Sequence, residues 1–356
     1  MSKIRSVITG TGSYIPENTI SGKHFLEHTF FDGGVKIDKD NEEIIQKFSD
    51  ITEIKERRYI NDDQLNHDIG LIAAQRAIED AKIDKEELDH IIFCHNFGDV
   101  KHGSNRVDML PALAAKVKLQ LGITNPDCVA FDLIFGCPGW VQGMIQADYL
   151  IRSGDAKHVL VIGSETLSRI VDPHDRDSMI FADGAGATIL SASTNDESKG
   201  ILAHKAQTHA SHADMLIMGG SNNPAENNGN TYIKMKGRKL YEFAVITVPQ
   251  LVKQAIDKSG VDVKQIKMVF IHQANGKMDH AIMKRLFKLY GEDTIPEKLV
   301  PMTISWLGNS SVATVPTLID LVLKNKVEGY EIKEGDHAVF ASVGAGMHIN
   351  AIVYKF

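Results

Sequence analysis

Apolar and polar positions along the chain follow two rhythms, and the stretch from Phe131 to Gly154 shows both. Phe131-Asp-Leu-Ile-Phe135 is a short apolar run of the kind that forms a buried strand, closed by Gly136. Trp140, Val141, Met144, Ile145, Tyr149 and Leu150 then recur at helical spacing. Pro138 suits the first turn of that helix and Gly154 supplies its stop. Cys137 is therefore expected on a strand-to-helix turn, at the positive end of a helix, where a thiolate is favoured. A buried, inert cysteine is the competing reading. The same rhythms predict strands over 6–12, 91–94 and 158–163 and helices over 68–81 and 109–121. Segments 95–106 and 219–230 read as polar loops, and 25–50 as a surface excursion with short helical pieces. The glycine-rich run Phe181–Ala187 reads as a tight turn between strands. Gly10-x-Gly12 lacks a third glycine, and Pro16 stands where a helix should run, so it makes a poor dinucleotide-binding turn.

The pattern is also repeated. Ala77-Ile-Glu-Asp-Ala-Lys-Ile-Asp, running on to Phe93, aligns without a gap on Ala255-Ile-Asp-Lys-Ser-Gly-Val-Asp, running on to Ile271, 178 residues later. Each copy reads as helix, charged turn and buried strand. Gly136-Cys137 and the helix through Asp148 fall on Gly308-Asn309 and the stretch through Asp320, 172 residues later. Gly154-Asp155 and the strand from His158 then echo Gly335-Asp336 and the strand from His337. Matches in order and in register predict two similar α/β halves, 1–192 and 193–356, with the polar stretch 191–200 as their seam. Each half would hold a mixed sheet layered between helices, and a pseudo-twofold axis would bring strand ends from both halves to one central cleft.

Composition narrows the classes. The 356 residues can bury a large core, and their hydrophobic and charged fractions are those of a soluble globular protein. No signal sequence and no apolar run of membrane-spanning length is seen. Three cysteines, Cys94, Cys128 and Cys137, form neither a disulfide framework nor a zinc motif, so a reducing cytoplasm is expected. A net charge of −7 argues against general nucleic-acid binding.

The pseudo-symmetry makes Cys137 and Asn309 counterparts at helix-entering turns, and Cys94 and His272 counterparts at strand ends. Taken singly, His272 reads more readily as a structural histidine and Asn309 as a cap or turn residue. Brought together, they divide one reaction. Cys137 would hold an acyl group as a thioester. His272 and the Asn309 carboxamide would donate to the enolate left when a malonyl thioester loses CO₂. Backbone amides of Cys137 and of the turn Val343-Gly-Ala-Gly346 would form the hole for the acyl oxygen, unless that turn merely ends a strand.

Over nearly its whole length the chain resembles the β-ketoacyl-acyl-carrier-protein synthase III family of thiolase-fold condensing enzymes. The residues that carry the resemblance are Phe131-Asp132, Gly136-Cys137, Gly163-Ser-Glu165, Asp172-Pro-x-Asp-Arg176, Asp183-Gly-Ala-Gly186, His272-Gln-Ala-Asn275, Gly308-Asn-Ser-Ser and Val315-Pro316. The resemblance implies a thiolase-like fold and a Cys137–His272–Asn309 triad, with Arg176 near bound coenzyme A and Gly237 in the pantetheine tunnel. Asn275, in the motif of His272, is taken as a further substrate-binding residue, and Gly346 as the second oxyanion amide beside Cys137. It also implies a cytoplasmic homodimer that uses no cofactor. The enzyme would take an acyl group from an acyl-CoA or acyl-carrier donor, then condense it with a malonyl- or β-ketoacyl-type thioester on acyl carrier protein. Because carrier protein is acidic, a basic rim is expected from Lys234, Lys236, Arg238, Lys239, Lys277, Lys284 and Arg285, although Lys284, Arg285 and Lys288 also fit a solvated helix face.

The chain departs from the family's habits in several places. No tryptophan precedes the stretch Thr52-Glu-Ile-Lys-Glu-Arg57, in which Glu53 replaces a glycine. Segments 25–50 and 95–110 are long, and Leu133-Ile-Phe135 is bulky before the cysteine. These departures point away from an acetyl starter and toward relatives such as dialkylresorcinol ketosynthases, with medium or branched acyl donors. Biosynthetic thiolase would need a second cysteine in the C-terminal half, and there is none. A catalytically silent carrier-binding subunit would leave Cys137 unacylated.

Overall fold

The computed structural model of the chain describes residues 4–194, 199–226 and 228–356. Its strands in the two principal sheets are β1 (Arg5–Tyr14), β2 (His90–Cys94), β3 (Val129–Leu133), β4 (His158–Thr166), β5 (Asp183–Ser193), β6 (Gly200–Thr208), β7 (Ile266–Ile271), β8 (His337–Gly344) and β9 (His348–Lys355). Its helices are α1 (Asn41–Thr52), α2 (Asn66–Ala81), α3 (Leu113–Leu121), α4 (Gly139–Ser153), α5 (Gly237–Ser259), α6 (Gly276–Lys288), α7 (Ile304–Leu307) and α8 (Thr314–Leu323).

The first sheet has the order β1-β5-β4-β2-β3 and the second β6-β9-β8-β7. In both, the first two pairings are antiparallel and the next is parallel. Among the described residues the second sheet has no strand equivalent to β3, and the Leu299 carbonyl takes that place with one bond from Val269 N–H at 2.8 Å. The duplication is visible down to its caps. Asp84 before β2 and Asp262 before β7, 178 residues apart, each form a reciprocal capping box, with Glu87 and Gln265 respectively. The fold is thus the layered, thiolase-like α/β arrangement expected, with one sheet's strands all before residue 194 and the other's all after 199. Residues 195–198 of the anticipated seam lie outside the described residues.

Helices α4 and α8 form the middle layer. Trp140, Met144 and Ile145 of α4, with Val315, Leu318 and Ile319 of α8, share one core with Val161, Phe270 and Phe340 from the facing sheets. From Thr314 to Val322 every residue of α8 is buried, as its all-round apolar sequence requires. Its one carboxylate, Asp320, is satisfied by Thr11 Oγ1 at 2.8 Å and Ser13 Oγ at 2.5 Å. Asp148 at the equivalent place in α4 accepts from Ser6 Oγ at 2.8 Å. Helices α2 and α3 cover the outer face of the first sheet, and α5 and α6 that of the second.

Three local expectations change, and the Gly10-x-Gly12 pair finds a structural use. The run from Asp183 is the start of β5, not a turn, because α8 presses on it so closely that a Cβ on Gly186 would lie 2.6 Å from Thr317 N. Helix α3 begins at Leu113 rather than 109, after Pro111, with the Asp132 carboxylate receiving Leu113 N–H and Ala114 N–H at 2.8 Å. The 25–50 excursion contains the start of a full helix, α1, capped by Asp40, and it buries Phe25, Phe30 and Ile44. Gly10 and Gly12 serve packing, since Cβ atoms there would stand 2.4 and 2.3 Å from the Ala77 and Ala73 carbonyl oxygens of α2.

Gly12→Ala is therefore expected to push α2 off β1 and cost about 1–3 kcal/mol. Urea denaturation checks this, the midpoint falling at unchanged slope.

Candidate active site

Two matching turns build the site. Strand β3 runs through Gly136 to Cys137 and α4, while α7 runs through Gly308 to Asn309 and α8. Gly136 has φ 67° and Gly308 has φ 71°, in the left-handed region. Neither has room for a side chain: a Cβ at Gly136 would lie 2.7 Å from the Ala345 oxygen, and one at Gly308 2.7 Å from Arg57 Cβ. Asn309 is pinned by its backbone, donating to the Ile180 oxygen at 3.0 Å and accepting from Ala182 N at 2.9 Å. Its Oδ1 accepts Ser311 N–H at 2.8 Å. His272 follows β7, donates its backbone N–H to the Ala341 oxygen at 2.9 Å and is buried.

Ser311 is the junction that the sequence reading missed. Its hydroxyl donates to Cys137 Sγ at 3.1 Å, its backbone N–H holds the Asn309 carboxamide, and its backbone lies close enough to the His272 ring to bear on its charge. Three residues far apart in sequence thus meet at one serine. Ser311 stood inside the quoted Gly308-Asn-Ser-Ser motif, but nothing in that motif marks the direction of its hydroxyl.

Cys137, Asn309, Ser311 and Asn96 line a cavity of about 320 Å³ whose other walls are largely apolar, from residues such as Phe97, Leu167, Phe181, Ile217 and Ile233. Phe135 and His348 form one wall as stacked rings 3.9 Å apart. The Val343–Gly346 turn closes the floor. A Cβ on Gly344 would lie 2.6 Å from Cys137 N, and the Ala345 backbone lies against Gly136, whereas Gly346 packs on the His348 ring. Ala345, passed over in the sequence, is thus the residue of this turn whose peptide backs the cysteine turn.

Burial sets the charges. It pushes the Cys137 thiol up to about 11, with the nearby Glu165 carboxylate adding to the rise and the Ser311 hydroxyl and Cys137's own amide opposing it. The expected thiolate at the helix terminus is therefore not the resting form, because desolvation outweighs the favourable end of α4. The same burial, partly offset by the Ser311 backbone, brings His272 down to about 4, so its ring is neutral at pH 7.

A second cavity of about 430 Å³ adjoins the first, and Met235, Leu240 and Ala274 line both. Arg176, Gly237, Arg238 and Asn275 all lie on it, as does a set the sequence reading omitted: Lys39, Lys47, Phe48 and Tyr241. Asn275 also caps α6, its Oδ1 accepting Met278 N–H at 3.1 Å. Lys236, Lys239, Lys277, Lys284, Arg285 and Lys288 are exposed but do not line it. Lys236 pairs with Asp214, and Arg238 with Glu242. Lys234 leaves the expected rim altogether: it turns inward onto Asp172 and Asp175, whose carboxylates neutralise it. Among the described residues no His, Cys, Asp and Glu cluster could hold a metal ion, and no helix is long and apolar enough to cross a membrane.

Known proteins share this architecture and sequence. Residues 131–210 match the family model of 3-oxoacyl-[acyl-carrier-protein (ACP)] synthase III, and residues 256–356 match the model of its C-terminal part. The β-ketoacyl-[acyl-carrier-protein] synthase III of Sphingopyxis alaskensis is 31% identical over 352 residues, covering 99% of each chain. That of Erythrobacter litoralis is 30% identical over 355 residues, covering 99% of this chain and all of its own. The crystal structure of 3-oxoacyl-[acyl-carrier-protein] synthase III from Aquifex aeolicus superposes with a TM-score of 0.80 at 29% identity, over 99% of this chain and 100% of that one. Likeness that runs from end to end of both partners, in sequence and in fold, means that the chain belongs to the 3-oxoacyl-[acyl-carrier-protein] synthase III family.

Proposed function

We propose that the protein condenses an acyl thioester, held on Cys137, with a malonyl thioester on acyl carrier protein. The product is a β-ketoacyl thioester for fatty-acid or polyketide-like synthesis. The observation that carries this reading is the pair of adjacent cavities, one lined by Cys137 and Asn309 and the other by Arg176, Arg238, Lys39 and Lys47 together with Glu43 and Asp177. Such a passage suits a phosphopantetheine arm, apolar along its length and anionic at its outer end.

In the first half-reaction the Cys137 sulfur attacks the donor carbonyl, and the oxyanion is met by the Cys137 amide and an amide of the 344–346 turn. The new carbon–sulfur bond forms as the donor's bond breaks, and the departing thiol carries away the proton. The malonyl thioester then enters by the same passage. Its thioester oxygen accepts from the neutral His272 ring and from Asn309 Nδ2, the end left for substrate because Oδ1 is taken by Ser311. Loss of CO₂ leaves its electron pair in the enolate held by these two donors. The enolate carbon attacks the acyl group and expels the Cys137 sulfur. A neutral imidazole is the form that burial favours, so this step is insensitive to His272 titration above about pH 5.

The Cys137 cavity, about 320 Å³, is also lined by Ile134, Phe135, Ile217, Met218 and His348, and its size and apolar lining support acyl groups longer than acetyl. Phe48, Tyr241 and Arg176 at the mouth offer an adenine two aromatic rings and a guanidinium in place of the missing tryptophan, so coenzyme A is retained as a donor beside acyl carrier protein. Assembly as a cytoplasmic homodimer completes the reading. Strand β3 is a sheet edge, with Val129 and nearby Leu119 exposed, and a second copy pairing there would cover it.

Intact-protein mass spectrometry with a panel of acyl-CoA and acyl-carrier donors is expected to show one acyl adduct, lost in Cys137→Ser and strongest for a medium or branched chain. Absence of any adduct would mean a silent carrier-binding subunit. His272→Ala and Asn309→Ala should still acylate but lose malonyl decarboxylation by a factor on the order of 10²–10³. Arg238→Glu with Lys47→Glu is expected to raise KM for the carrier-borne malonyl substrate several-fold at low salt and less at high salt, with kcat nearly unchanged. Sedimentation velocity at micromolar concentration should give a dimer, and Val129→Lys should shift it toward monomer.

A further inference from the structure

Beside the nucleophile runs a line of polar side chains whose side-chain groups the reaction above does not use. Glu165 stands near the end of β4, Asn96 just beyond β2, and Ser311 two residues past Asn309. Glu165 Oε2 accepts both the backbone N–H of Asn96 at 2.9 Å and its Nδ2 at 2.7 Å. Asn96 Nδ2 also donates to Ser311 Oγ at 3.3 Å, and the Ser311 hydroxyl donates to Cys137 Sγ at 3.1 Å. From Asn96 onward every donor points toward the sulfur, and the carboxylate at the far end fixes the carboxamide that starts the series. Glu165 and Ser311 are both buried, and Glu165 Oε1 has no partner. Ser311 has φ 53°, a conformation that a non-glycine residue rarely adopts, and its backbone N–H and its hydroxyl serve two different members of the site.

We propose that Ser311, aligned by Asn96 and Glu165, is a positioning residue that holds the Cys137 sulfur whenever it carries negative charge. This rests on the reading of Cys137 as the acyl-bearing nucleophile. A thiolate is a strong acceptor and a thioester sulfur a weak one. The hydroxyl therefore acts on the sulfur as it attacks the donor and again as it is expelled in the condensation, and binds it little in between. Glu165 has two opposed effects: it orients Asn96, and as an anion near the sulfur it resists the thiolate. The other titratable groups in the neighbourhood are His272, beside the Ser311 backbone, and His95 and Asp183, which face Glu165. His95 is itself tied to Asp132 at 3.0 Å.

The test is the pH dependence of Cys137 alkylation by iodoacetamide, read on the Cys137 peptide by mass spectrometry after treatment of the intact, full-length protein. Ser311→Gly removes the hydroxyl and relieves the left-handed backbone, so the variant is expected to fold. Its alkylation midpoint should move to higher pH, with the rate near pH 8 lowered roughly tenfold. Glu165→Gln keeps an oxygen that accepts from Asn96 while deleting the charge, and its midpoint should move to lower pH. Shifts of opposite sign are not produced by loosened packing. A Ser311→Gly profile superimposing on the parent's, or an upward shift in Glu165→Gln, overturns the proposal. Alkylation needs no thioester donor, so a protein that never acylates would sink the functional reading without touching this result.

Discussion

The site depends on two peptide turns coming closer than side chains allow. Gly136 and Gly308 occupy equivalent places in the two halves, both in the left-handed region and both with backbone or Cβ atoms where their own Cβ would stand. The contact of Gly136 with Ala345 sets the cysteine turn on the loop that ends β8. The contact of Gly308 with Arg57 and Ala182 seats the asparagine turn beside the start of β5. Widening either approach would separate sulfur from carboxamide, and no rotamer change could restore the distance. The middle layer follows from the same requirement, since α4 and α8 begin at these turns and must be buried wherever the turns meet.

Burial then sets the electrostatics of the centre. Enclosure costs the nucleophile, whose thiol rises to about 11, and suits the histidine, which is kept neutral. The two effects have one cause and cannot be tuned apart by solvent access. In the proposed reaction, an uncharged N–H pair from His272 and Asn309 would stabilise an enolate without also gripping a malonate carboxylate that must leave as CO₂. The nucleophile's handicap has to be met locally, by groups touching the sulfur. Close polar contacts such as the Ser311 hydroxyl therefore matter more here than the field of the helix.

Much of this was legible in the residues. The duplication was, because repeated helix–turn–strand units keep their period and their capping residues: Asp84 and Asp262 recur with their boxes intact. The expectation that Cys137 and Asn309 share one site followed from that symmetry, and both line one cavity. What could not be read was direction. Ser311 and Asn96 look like ordinary loop residues until the backbone fixes which way a hydroxyl or carboxamide points. Lys234 counted as a surface cation until Asp172 and Asp175, some 60 positions away, were found around it. The misread run at Asp183 has the same origin: glycine and alanine signal a turn by local propensity, but here they are small because a helix lies on the strand.

The two copies of the turn have diverged in a way that fits the proposed division of roles, nucleophile in one half and hydrogen-bond donor in the other. After Cys137 the chain enters α4 almost at once, with Gly139 already helical. Ser311, two residues past Asn309, stands at the place equivalent to Gly139. It breaks the helix entry with a left-handed residue and a short 3-10 turn before α8 starts at Thr314. That detour points the peptide N–H back at the Asn309 side chain and the hydroxyl across the axis at the sulfur of the other half. A direct helix entry, as in the first copy, would leave the carboxamide free to rotate. The symmetry brings the two turns together, and the departure from symmetry at Ser311 links them into one site.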